Sequence, residues 1–114
     1  MTNEEKSAAI AVKIMGFVAK QAFPNSGFYW QYPDGIQALA QTVWTPFTDI
    51  AQAMTVAERL RELGHNIAIY LQADRQGRKR YEIYSGPICT AAGDVLSVVI
   101  SEAAYQIAEK MVKP

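Results

Sequence analysis

One cysteine and one histidine are all that 114 residues offer of the two most versatile reactive side chains. With Cys89 alone, no internal disulfide can form, and a reducing compartment is expected. His65 alone would have to serve any serine or cysteine triad. It directly follows Gly64, where a polar surface residue suits a helix end, and no local spacing brings it to Cys89. One His, one Cys and no clustered carboxylates leave no ligand set for a metal. The glycines are scattered and form neither a phosphate loop nor a dinucleotide fingerprint. No catalytic residue, metal ligand or cofactor is therefore expected. Charge of one sign is missing too: eleven basic residues cancel eleven acidic ones, so no global field draws the chain to nucleic acid or to an anionic membrane. No apolar run approaches the length of a membrane span. The opening MTNEEKS is acidic where a secretory signal is basic. A soluble cytoplasmic protein is the expectation.

What is present is an ordinary globular composition, half hydrophobic and 19% charged, sufficient for a single domain over residues 1–114. The stretch from Thr45 to Ser85 organises the rest. Ile50, Ala53, Met54, Ala57 and Leu60 recur at three- and four-residue steps and predict one apolar side of a helix. Thr48 or Asp49 suits its N-cap, and Gly64 its left-handed stop. Ile67, Ile69 and Leu71 then alternate with Ala68, Tyr70 and Gln72 as a strand does. Asp74-Arg75-Gln76-Gly77 fits a tight turn, and Tyr81 to Ser85 makes the return strand. Ile69 and Leu71 are expected to be buried against the last helix.

Before this unit, Thr2 and Glu5 stand at capping-box spacing. They open a helix whose apolar side is Ile10, Ile14, Phe17 and Val18, widened by Val12 and Met15 and expected to end before Pro24. Turn signals at Asn25-Ser26-Gly27 and Pro33-Asp34-Gly35 flank an aromatic run, the candidate third strand of a single sheet. Ile36 to Val43 reads as a helical turn or two. After the hairpin, Gly86-Pro87 and a loop through Ala91-Ala92-Gly93 lead to a final helix. Asp94 is its expected cap, and Leu96, Ile100, Ala103, Ile107 and Met111 its stripe, with Val95, Val99 and Ala104 broadening it. The fold class predicted is α+β, an α-β-α sandwich with a small antiparallel sheet between helices.

Two surfaces invite a functional reading. Arg75, Arg78, Lys79 and Arg80 form the only basic cluster and suggest phosphate contact with nucleic acid. Their simpler role is a solvated hairpin tip that keeps a strand edge from pairing with strangers. Phe28, Tyr29, Trp30, Tyr32 and Trp44 suggest a small-ligand or partner surface. Their simpler role is to cover the core, since aromatics carry the largest buried areas per residue.

The segment Trp44-Thr45-Pro46-Phe47-Thr48-Asp49-Ile50-Ala51-Gln52-Ala53, continuing through Val56, Ala57, Leu60 and Gly64, resembles the phage ABA sandwich domain family, small proteins of bacteriophages and prophages. Ala91 to Leu96, Ala103-Ala104 and Met15-Gly16-Phe17 are similar to other elements of that family. Met54 departs from it, where an aromatic is frequent, and so does Ser101-Glu102, where a Cys-Arg pair is. The resemblance implies a fold and a phage origin but no activity and no site residues. The function expected is a non-enzymatic phage or prophage accessory protein, a protein-interaction module with a phage or host partner. The alternatives are a nucleic-acid-associated factor and a small-ligand-binding domain. A homodimer is also expected, formed through the wide apolar arc from Val95 to Val112 of the last helix in preference to pairing of strand edges, which the charged turn opposes, so that a charge at Val99 or Ala103 would release folded monomers.

Overall fold

The computed structural model describes residues 1–21, 23–24 and 27–111. The order is α1 (Asn3–Lys13), β1 (Val18–Gln21), β2 (Phe28–Gln31), β3 (Ala38–Ala40), a 3-10 turn (Gln41–Val43), α2 (Ile50–Glu62), β4 (Ile67–Ala73), β5 (Lys79–Ser85), β6 (Ile88–Gly93) and α3 (Leu96–Lys110). The class is α+β. The strands form two antiparallel sheets of three, ordered β1-β2-β3 and β4-β5-β6, rather than the single sheet expected. The expected turn at Asn25-Ser26, like Val112, lies outside the described residues.

Local chemistry explains where the helices begin. The Thr2 hydroxyl accepts from the Glu5 N–H and the Glu5 carboxylate accepts from the Thr2 N–H, both at 3.1 Å, closing a capping box on α1. Asp49 caps α2 by accepting from the Gln52 N–H. Gly64, at φ 91°, ends α2 as expected: its N–H reaches the Arg61 carbonyl and that of His65 reaches Leu60, so the last carbonyls find donors. The end of α1 comes earlier than Pro24. Gly16, at φ 72°, turns the chain, and Phe17 donates back to the Ala11 carbonyl. Val18, placed in the sequence on the apolar side of this helix, is an exposed strand residue instead. Asp94 does not cap α3, whose N-cap position is Val95 with no side-chain hydrogen bond.

Two sections of hydrophobic core share the helices. One joins Ile10, Ile14, Phe17, Trp30, Trp44, Val56, Leu60 and Ile107; the other joins Ala53, Ala57, Ile83, Val99, Ile100 and Ala103. Within that arc Val99, Ile100, Ala103, Ala104, Ile107 and Ala108 are internal, covered on one side by α1 and on the other by α2 and the second sheet, while Val95 is exposed. Val99 and Ala103 are buried within one chain, so the dimer contact expected through them is not available. Ion pairs Lys6–Glu102 and Lys13–Glu109 advance together along both helices, so α1 and α3 run side by side in the same direction, meeting on the small residues Ala11, Ala104 and Ala108.

The first sheet corrects one expectation and the second sheet two. The third strand of the second sheet is β6, from the segment read as a loop, and the aromatic strand β2 belongs to the other sheet. Ile36 to Val43 supplies β3 and the 3-10 turn rather than helix. The helices cover only one face of the second sheet; Tyr70, Gln72, Arg80, Cys89 and Ala92 on the other are exposed, so this sheet is not sandwiched. The chain extends 54 Å by 28 Å by 24 Å with a radius of gyration of 15.1 Å, against about 13 Å for a compact domain of this length.

Candidate functional site

The aromatic candidates divide by burial rather than by strand alternation, which puts Phe28 and Trp30 on one face of β2. Trp30 turns inward from β2, while Phe28 is exposed and Tyr29 half-buried. Trp30 and Trp44 are each 5% exposed, and they meet at Phe17 rather than at each other. Phe17 stacks on Tyr32 at 4.5 Å, meets Trp44 edge-on at 5.2 Å and lies 6.5 Å from Trp30. The Trp44 indole N–H donates to the Ser7 carbonyl at 2.9 Å. These rings lock α1 to the first sheet. Of these rings, Trp30 and Trp44 border a cleft of about 350 Å³ together with Glu4, Ser7, Gln41 and Thr45. Phe17 escaped notice as the hub because it was assigned to a helix face; the glycine directly before it was the available signal.

The basic hairpin pairs two of its four cations, Arg78 and Arg80, and leaves Arg75 exposed in the turn. Asp74 organises the turn: one carboxylate oxygen accepts from the N–H groups of Gln76 and Arg78, and the other from the Arg78 guanidinium at 2.9 Å. The backbone hydrogen bond from Arg78 is the main reason its carboxyl is held below the usual range. Arg80 pairs with Glu82 at 3.1 Å, and Lys79 lies 5.7 Å from the centre of the Tyr81 ring. Lys79 stands on the helix-facing side of the sheet and Arg80 on the open side, so strand alternation splits the cluster. Glu82 also raises the pKa of Tyr84, chiefly through its charge, and Tyr84 meets Tyr70 edge-on at 5.5 Å. His65 is half-buried and Cys89 exposed on the open face.

A third surface was missed in the sequence because its residues were assigned to the core. Ile69 and Leu71 do point to the helix side of the sheet, opposite Ile83 and Tyr81. Yet β4 is an edge strand, and α2 reaches only its beginning. Ile69 is 39% exposed and Leu71 64%. Ile50 and Met54, one turn apart on α2, are likewise exposed, although periodicity had placed them in the core stripe. Val56 takes the inward position. A groove of about 250 Å³ separates helix from strand, floored by Ala57 and Ile67 and rimmed by Glu58, Arg61 and Asn66. Nothing in hydropathy alternation distinguishes an edge strand from a central one; strand order does.

Comparison of the chain with protein-family models, with curated proteins and with solved structures found no match.

Proposed function

We propose that the chain is a non-enzymatic accessory protein of a phage or prophage, acting in the host cytoplasm as a protein-interaction module. The observation that carries this reading is the apolar surface of Ile50, Met54, Ile69 and Leu71. All four are exposed, and Met54 and Ile69 line the α2–β4 groove beside Glu58, Arg61 and Asn66. Apolar surface gathered in one place and rimmed in this way marks association sites, whereas singly scattered residues need no explanation. The phage origin rests on the resemblance of the Trp44 to Ala53 segment alone.

The test uses the tagged full chain, expressed in a bacterial host together with the genes that neighbour its own. Mass spectrometry compares what co-purifies with the natural chain and with a folded Met54→Glu/Leu71→Glu variant. A neighbouring gene product retained by the first and lost from the second supports the reading. Equal recovery from both, or no partner from either, overturns it.

A further inference from the structure

We propose that the open edge of β4 pairs with the β4 edge of a second copy of this chain, antiparallel about Tyr70, joining two three-stranded sheets into one of six. This rests on reading the α2–β4 face as a docking surface and names the chain itself as an occupant.

The backbone geometry is permissive. Asp74 donates to the Arg78 carbonyl at 2.8 Å, which starts the β4–β5 ladder at an even-numbered residue. By the alternation of antiparallel pairing, Gln72, Tyr70 and Ala68 aim their backbone groups at β5. Ile67, Ile69, Leu71 and Ala73 therefore aim theirs at the open edge. Those same residues point their side chains to the helix side, which is where the exposed apolar surface lies.

The chemistry of the strand selects its own copy. Ile67–Ala73 reads IAIYLQA, seven residues with no charge, proline or glycine. Edges that avoid pairing carry such guards or a bulge; the irregularity in this sheet lies instead between β5 and β6, at Ile83/Tyr84. With the two-fold axis at Tyr70, all seven residues pair. Ile69 falls opposite Leu71 of the copy, Ile67 opposite Ala73, and no like charges meet. The cations of the adjacent turn oppose this little, because Arg78 and Arg80 are already paired to Asp74 and Glu82. An axis perpendicular to the sheet keeps α2 and its copy on the same side. Ile50 and Met54 of each then flank the joined strands.

Sedimentation of the purified chain from about 1 to about 100 μM, a range covering transient and ordinary homodimers, reads the assembly. A concentration-dependent dimer is expected, and Leu71→Lys shifts it to folded monomer. In the dimer, amides of Ile69 and Leu71 gain at least tenfold protection from hydrogen exchange, while that of Tyr70, already bonded to β5, does not change. Tyr70→Cys in a Cys89→Ser background places thiols across a non-hydrogen-bonded pair, close enough for a disulfide. It cross-links two chains under mild copper-catalysed oxidation, and Gln72→Cys in the same background does not. A monomer at every concentration overturns the proposal. So does a dimer that survives Leu71→Lys with Ile69 and Leu71 amides unprotected, or one that cross-links at Gln72 in preference to Tyr70. A monomer that still captures a neighbouring gene product rejects self-pairing and leaves the proposed function standing. A dimer with no such partner does the reverse.

Discussion

Ile83, wholly shielded from solvent, sits where β5 meets α2 and α3 and touches the second section of the core. Truncating Ile83→Ala should cost about 2–5 kcal/mol, the usual range for buried large-to-small changes. Leu71→Ala, on the same face but at the sheet edge, should cost under about 1 kcal/mol in the monomer. Equal losses in chemical denaturation would show that α2 covers the edge strand after all. Ser101 is the converse: fully buried in α3, its hydroxyl has no hydrogen-bond partner among the described residues. An unsatisfied buried hydroxyl opposes folding, so Ser101→Ala should raise stability by about 1 kcal/mol. A destabilised variant would mean that the hydroxyl is satisfied. At this scale much was legible in the sequence. Thr2, Glu5, Asp49 and Gly64 act on backbone groups within a few residues of themselves, so spacing alone reveals them. Ile69 and Leu71 were legible as to face but not as to burial, which depends on what lies beside the strand.

Among elements, the β4–β5 hairpin depends on one carboxylate. Hydrogen bonds from the turn favour the ionised form of Asp74 in the folded chain and hold its pKa below the unfolded value. The stability this gives is fully present above the unfolded pKa and is lost as pH falls through the lower folded one. Thermal melts across that acid window should show the natural chain converging on Asp74→Asn, with the natural chain the more stable at neutral pH. A constant gap across the window would exclude the carboxylate as its origin. The same pairing predicts only weak, salt-labile retention of DNA or RNA in gel shifts, because cations engaged by Asp74 and Glu82 are poorly free for phosphate. Micromolar binding abolished by alanine at Arg78, Lys79 and Arg80 would promote the nucleic-acid alternative. The strand β6 was illegible for a different reason. Ala91, Ala92 and Gly93 have little intrinsic strand preference, and their pairing with Ile83, Glu82 and Tyr81 supplies what propensity does not.

For the whole molecule, the decisive arrangement is a helical layer that serves both sections of the core. Val56 and Leu60 of α2 face one while Ala53 and Ala57 face the other, and α3 divides in the same manner. A charge at Val99 should therefore unfold the chain rather than release a folded monomer, which circular dichroism distinguishes directly. Both tryptophans, Trp30 and Trp44, lie in the section with α1, and the lone thiol, Cys89, is exposed on the outer face of the opposite sheet. Indole emission and a maleimide dye thus watch different ends of a 54 Å particle with no engineered residue. Because the shared helices tie the two ends together, both signals should change at one denaturant midpoint.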